Sequence, residues 1–414
     1  MTTPPQHPPS RQPVSGPPLA DNTLLFLTGI LMTIGAAMVY SASVTVAGAE
    51  LDWRRWWATP LRQCVFALAG FLGMLVMSAV GYRWLAWERP RDGWRVGWLY
   101  LAAFVSLLAV LVVGREALGA RRSLVVLHGP FTLSFQPAEL AKVVMVLWLA
   151  ALLSWLQRRS LDHPERGLGS LRHGFLPAIL SVAPLILLTG VEDFGTAALM
   201  GVVAMMMLYL AKARWRHMAG AALLGLVGAA VLMLTREHRV RRLLTWWSDA
   251  PDPTGDGYQI DQSLLTIASG GWFGRGLGAG VQKYGYLPQK DNDFILATIC
   301  EELGVVGGLV IVGLFLLWVA RGWYLTRRAS DPLTRLLAAG LTLLIGLQAA
   351  FNVAVVTNSV PTKGISLPFV SAGGSGVLFL GLAAGLLASV ARAGPDETCS
   401  TRRGSGVVHI RQPG

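Results

Sequence analysis

The sequence predicts an all-α polytopic membrane protein of about ten transmembrane helices, with a large outward loop between the seventh and eighth. Two compositional facts carry that reading. Hydrophobic residues make up 53% of the chain and charged residues only 14%, where a soluble domain carries roughly 25% charged residues. Mean hydropathy is +0.51, and the apolar residues fall in runs of about 20, the length a helix needs to cross a bilayer. A net charge of +12 would suggest nucleic acid in a soluble protein. Here no nucleic-acid partner is expected, because the arginines gather in short loops between apolar runs.

Along the chain, residues 1–21 are Pro-rich and polar and read as a disordered cytoplasmic leader. The apolar run that follows lacks a small-residue cleavage site and reads as a first anchor rather than a signal peptide. Expected spans are 23–42, 63–81, 96–114, 138–156, 174–190, 194–211, 217–235, 303–321, 335–356 and 374–392. Only Val191, Glu192 and Asp193 separate the fifth from the sixth. The positive-inside rule places both termini in the cytoplasm, with Arg83, Arg158, Lys212, Arg327 and their basic neighbours on the inner side. Residues 236–302 then form the outward loop, 22–394 the membrane domain of a cytoplasmic (inner) membrane protein, and 395–414 a disordered cytoplasmic tail. Cys64, Cys300 and Cys399 form no disulfide or metal pattern, and the seven histidines lack zinc-type spacing.

The densest polar stretch runs from Gly257 to Gly304. Irregular backbone beside a bilayer is tolerated only where protein or a water-filled cavity satisfies its polar groups, so chemistry is expected there. Asp293 stands out: a loop re-entering the membrane at FILAT would hold its carboxylate partly out of water. Desolvation raises a carboxylate pKa and a nearby cation lowers it, which can tune a general base. An ordinary solvated loop aspartate is the competing reading.

Further candidates flank it. In SFQPAELAK (134–142), Pro137 suits the first turn of a helix, and Glu139 and Lys142 share one face. Intramembrane charges usually face a cavity, although this pair could simply neutralise itself. Arg121 and Arg122 in GARRS could chelate phosphate bidentately or anchor at the lipid interface. Lys363, in NSVPTKGISLPFVSAGGSG (358–376), could face a substrate or snorkel. The prolines and glycines of that segment suggest a broken helix start. Gly304 with Gly308, and Gly381 with Gly385, each make a GxxxG, read as close helix packing. Ser41 and Ser43 have no partnering His and look structural.

Taken together, YSAS (40–43), GARR (119–122), FQPAELAK (135–142), DFGTA (193–197), the run from Gln262 to Gly304 and LPFVSAGGSG (367–376) resemble the SEDS family of membrane glycosyltransferases, FtsW, RodA and SpoVE. The resemblance implies ten transmembrane helices and polymerisation of lipid II, the undecaprenyl-pyrophosphoryl disaccharide-pentapeptide, into peptidoglycan glycan strands. It maps the family's essential aspartate to Asp293, with Lys142 and Glu139 as supporting charges. Arg121, Arg122, Arg275, Lys283 and Lys363 are then the candidates for offsetting charge on the pyrophosphate. A divalent cation, Mg2+ or Mn2+, could share that work. PTKG at 361–364 resembles the division branch more than the elongation branch. The expected partners are therefore a class B penicillin-binding protein, the cross-linking transpeptidase, and other divisome membrane proteins. The alternatives are an elongation polymerase, a lipid II flippase and an inactive division scaffold. Departures from the family pattern are Asp291-Asn292 before Asp293, Glu192 before DFGT, and Ala372 and Gly376 in the last motif.

Overall fold

The computed structural model describes residues 20–43, 58–86, 94–117, 120–127, 133–162, 167–235, 237–247, 256–281, 292–361 and 364–392. Helices α1 (Asn22–Ser43), α2 (Ala58–Val80) and α3 (Trp94–Val113) lead into three short strands, β1 (Arg115–Ala117), β2 (Ala120–Leu127) and β3 (Leu133–Phe135). Then come α4 (Pro137–Asp162), α5 (Leu176–Glu192), α6 (Phe194–Leu210), α7 (Trp215–Leu234), α8 (Glu237–Trp247), α9 (Asp256–Gly270), α10 (Ile295–Arg328), α11 (Pro332–Val356) and α12 (Ser375–Ser389). Nine described helical stretches are long and apolar enough to span a membrane, α5 together with the helical turn from Leu171 that leads into it. The expected span at 194–211 corresponds to α6, whose 17 residues fall short of that length.

The core lies around α4 and α11. Met145, Leu149 and Leu153 of α4, and Leu337, Leu341 and Leu344 of α11, are fully buried, and the two helices pack on each other and on α6. Against them stands a second cluster of α1, α2 and α12. In α12 a Cβ at Gly381 would lie 2.6 Å from the Gly70 carbonyl oxygen, and one at Gly385 would lie 2.1 Å from that of Met74. Only hydrogen fits there, so this GxxxG does bring two helix backbones together. At the other extreme, α7 buries no residue.

A short antiparallel meander, β1-β2-β3, joins the helical bundle between α3 and α4; RRSLVVL suits a strand because β-branched valines pack well on a pleated surface. Four expectations need correction. Residues 236–302 are not one irregular loop, since α8 and α9 occupy much of their described part. Helix α9 is inside out: Ile260, Ser263, Thr266 and Gly270 face protein at helical spacing, while Leu264 and Leu265 are exposed. Polar residues with an i, i+3 period therefore pack inward here rather than mark a loop. FILAT starts the long helix α10 directly, which bends at Gly304 (φ 76°, ψ 177°). Gly304 thus serves a left-handed kink, not helix packing: Val305 N–H and Val306 N–H donate to the carbonyls of Gly271 and Trp272. Finally Asp21, assigned to the leader, caps α1 through Leu24 N–H at 2.8 Å and pairs with Arg321 at 2.7 Å. Residues 1–19 of the leader, and the tail at 395–414, lie outside the described residues.

Candidate active site

The start of α4, the junction of α5 and α6 and the turn before α10 bring polar residues to one end of the bundle. Helix starts suit this role because their first N–H groups have no partner within the helix. Asp193 caps α6, its Oδ1 accepting from Thr196 N–H at 3.1 Å and its Oδ2 from Thr196 Oγ1 at 2.9 Å. Pro137 opens α4, and Glu139 and Lys142 follow on its inner face, 5% and 1% exposed. A cavity of about 240 Å³ forms between these elements, and Arg122, Glu139, Lys142, Asp193 and Asp293 all line it.

Lys142 is fully committed. Its Nζ lies 2.7 Å from Glu139 Oε2 and donates to Gln348 Oε1 at 2.6 Å. A buried charge is tolerable when paired and hydrogen-bonded, and both conditions hold. The Gln348 amide in turn donates to the Ser366 carbonyl at 2.9 Å. The pair is therefore wired to the segment before α12.

Asp293 is placed through its backbone. Asn352 Nδ2, one turn beyond Gln348 on α11, donates to the carbonyls of Asp293 and Ile365, both at 2.8 Å. Ser371 Oγ donates to the Asn292 carbonyl at 2.6 Å and accepts from Leu367 N–H at 2.8 Å. The turn at 292–294 and the chain at 364–371 are thus stitched together around the carboxylate, which no described residue pairs directly. Burial raises its pKa to about 7, against the lowering fields of Arg122 and Arg242, with Asp193 raising it further. Among the described residues the cations that act on Asp293 are Arg122 and Arg242, while the Lys142 ammonium serves Glu139.

Gly364 governs the approach of Arg122 to Asp293. A Cβ there would lie 2.9 Å from Asp293 Oδ2 and 3.3 Å from Arg122 Nη1. A side chain at this position would have to push one or both of those groups aside. Arg122 is steadied by its Nε, which donates to the Glu192 carbonyl at 3.3 Å.

Of the expected site residues, Asp293, Glu139, Lys142 and Arg122 therefore meet in one cavity. Arg275 does not; it is exposed, and its Nε donates to the Ser269 carbonyl at 3.0 Å. Lys283, Lys363 and the side chain of Arg121 lie outside the described residues, as does Asp291. Sequence reading passed over Asp193, Gln348, Asn352, Ser371 and Arg242. Gln348 and Asn352 did carry a signal, as two amides at i, i+4 in an otherwise apolar span. Ser41, read as structural for want of a partnering His, donates to the fully buried Glu302 at 2.6 Å.

Among the described residues no group of three or more His, Cys, Asp or Glu could hold a metal. Three carboxylates line the cavity, Glu139, Asp193 and Asp293, but Glu139 is paired with Lys142 and both oxygens of Asp193 accept from Thr196, so these side chains do not by themselves make a cation site.

Fold and cavity together define a multi-pass membrane protein with a charged reaction-sized chamber at one end of its helix bundle. The model of the cell cycle proteins FtsW, RodA and SpoVE matches residues 22–394, and the chain belongs to that family. It is 38% identical over 374 residues to a probable peptidoglycan glycosyltransferase FtsW of Geobacter sp. strain M18, covering 89% of this chain and 96% of the relative. It is 35% identical over 376 residues to the stage V sporulation protein E of Bacillus subtilis, covering 90% and 97%. Among solved structures, a chain of a peptidoglycan synthase complex that coordinates polymerization and crosslinking superposes with TM-score 0.68 at 28% identity, covering 90% of this chain and 98% of that one. The rod shape determining protein RodA of Thermus thermophilus superposes with TM-score 0.60 at 27% identity, covering 90% and 97%.

Proposed function

We propose that this protein is a peptidoglycan glycosyltransferase that polymerises lipid II on the outer face of the cytoplasmic membrane, in septal wall synthesis. In this reading both termini are cytoplasmic, and a class B penicillin-binding protein cross-links the strands. One observation carries it: a titratable, half-buried carboxylate shares a chamber with a guanidinium and with a second, self-contained ion pair.

Asp293 takes the proton from the 4-hydroxyl of the acceptor's GlcNAc. The freed oxygen attacks the anomeric carbon of the donor's MurNAc from the side opposite the diphosphate. The new C–O bond forms as the old one breaks, configuration inverts, and undecaprenyl pyrophosphate departs with the electron pair. A pKa near 7 suits a base working near neutral pH, where proton affinity and availability balance. Arg122 meets the charge growing on the leaving group, and a fixed cation in a water-poor site acts strongly. Glu139 and Lys142 hold the chamber wall, their charges cancelled locally. A divalent cation arriving on the substrate phosphates would supply further neutralisation.

The test is lipid II polymerisation by purified protein, with and without divalent cation, comparing wild type and Asp293→Asn. Glycan chains from wild type and none from the variant support the reading. Wild-type rates from Asp293→Asn remove the catalytic assignment. Polymerisation in detergent, with no membrane to cross, also separates an enzyme from a flippase.

A further inference from the structure

The bend of α10 leaves a backbone problem that the neighbouring turn solves. With Gly304 out of helical geometry, the carbonyls of Glu301 and Glu302 and the N–H groups of Val305 and Val306 lose one another as partners. Arg275 N–H and Gly276 N–H donate to the two carbonyls, both at 3.0 Å. Val305 N–H and Val306 N–H donate to the carbonyls of Gly271 and Trp272 at 2.9 Å and 3.2 Å. All four orphaned groups are thus satisfied within the protein, as a helix broken beside hydrocarbon requires. The same bonds clamp the turn 271–276 to α10 and fix the directions of its side chains.

What that turn presents outward is apolar. Trp272 is 70% exposed, Phe273 85% and Leu277 69%, and Leu265 of α9 is exposed as well. Aromatic rings of this size gain much by leaving water. Beside them stands Arg275, whose exposed side chain is tied to the Ser269 carbonyl through Nε.

Helix α10 itself shows what lies against this surface. From Gly304 to Tyr324 a straight helix rises about 30 Å, the thickness of the hydrocarbon layer. Trp323 and Tyr324, each 38% exposed, mark one boundary, where such rings collect, and Arg327 and Arg328 follow in the last turn. Between the boundaries Leu309, Val310, Leu316 and Leu317 are exposed, as a lipid-facing side must be. The other boundary therefore falls at Gly304. The bonds to Val305 and Val306 bring Trp272 and Phe273 to that level.

We infer that Trp272 and Phe273 form a rigid wedge seated in the bilayer surface at the chamber end of the bundle, with Leu277 beside them. A bilayer interface takes an apolar face to a depth of about 5–10 Å, and Trp is enriched at that level. Arg275 stands there among the phosphates of the lipid headgroups, a place that suits a guanidinium outside the chamber. The wedge also fixes a height. Residues 294–303 run from the bend back to Asp293, so the level at which Gly304 is seated sets the level of the carboxylate relative to the bilayer.

The experiment places a nitrobenzoxadiazole fluorophore on Phe273→Cys and, for comparison, on Asp261→Cys of α9, which is exposed. Cys64→Ser and Cys399→Ser remove two other thiols, and the buried Cys300 stays. The full-length protein is reconstituted in nanodiscs of phosphatidylcholine and phosphatidylglycerol. Quenching is read with iodide in the water, with a doxyl group near the lipid headgroups, and with one deep in the acyl chains. The Phe273 label should lose most fluorescence to the shallow doxyl group, less to the deep one and little to iodide. The Asp261 label should lose most to iodide. If Phe273→Cys fails to fold, Leu277→Cys reads the same surface. In Trp272→Ser with Phe273→Ser, a label on Leu277→Cys should become open to iodide, because the anchor is gone. Iodide quenching at residue 273 with none from lipid overturns the wedge, since the rings then stand in water. Protection from all three quenchers also overturns it and makes protein the cover. Unchanged lipid quenching at residue 277 in the double variant shows that the rings do not seat the turn.

Discussion

Two of the carboxylates that line the chamber live in opposite conditions. Glu139 is held 2.7 Å from Lys142, which is in turn bonded to Gln348 and almost fully buried. Asp293 has its backbone fixed by Asn352, but its carboxylate has no direct partner among the described residues and burial lifts its pKa to about 7. The first arrangement neutralises a charge and closes a wall. The second keeps a proton acceptor available. Evolution of a base requires fixing where a carboxylate stands while leaving its oxygens uncommitted, and α11 does this with backbone bonds alone.

The comparison breaks most sharply if Asp293→Asn remains active. Loss of a general base costs about 10²–10⁴-fold, so polymerisation should fall by that factor. The variant's melting temperature at pH 8 should match or exceed wild type. The sign follows from the raised pKa: the unfolded acid ionises in the ordinary carboxylate range and the folded one only near 7, so stability falls as pH rises between the two and the full penalty is present at pH 8.

On the Glu139 side the expected loss is of stability. Lys142→Met strands a buried carboxylate, and breaking a buried pair from one side costs about 3–5 kcal/mol. Adding Glu139→Gln should recover much of it in thermal unfolding. A single variant as stable as wild type would show that the pair is not the closed unit described here.

Gly364→Ala tests the gap between Arg122 and Asp293. The added methyl meets both groups, and displacement by a fraction of an ångström at a reacting centre should cost about tenfold in rate, with little change in melting temperature. An unaltered rate would mean that their close approach is immaterial.

The smallest effects lie in the pH profile. Wild-type rate should fall as pH drops through about 7, because the base becomes protonated. Arg122 lowers the pKa of Asp293 and Asp193 raises it. Removing the cation in Arg122→Gln should therefore move the midpoint upward, and Asp193→Asn should move it downward. Midpoints that stay fixed would detach the profile from Asp293.

Much of the bundle was legible because bilayer length and apolar runs are one-dimensional properties. Each expected span falls on a helix, and the motif residues Glu139, Lys142, Arg122 and Asp293 were all identifiable by type and setting. Helix α9 was misread because its inward face is small and polar, Ser263 and Thr266, while its leucines face outward. Composition alone makes such a helix look like a loop. Arg242 was invisible for a different reason: in an Arg-rich stretch, nothing local distinguishes the arginine that faces a cavity from Arg241 beside it, which is exposed.

The sequence by itself determined that this chain lives in a membrane, roughly where its apolar helices lie, and which charged groups are too costly to be idle there. Each of those follows from the free energy of placing residues in hydrocarbon, which is summed along the chain. Only the tertiary structure decided which charges cancel and which stay open. That depends on contacts between residues as far apart as Lys142 and Gln348, or Asp293 and Asn352, and electrostatic energy follows distance in space rather than distance in sequence.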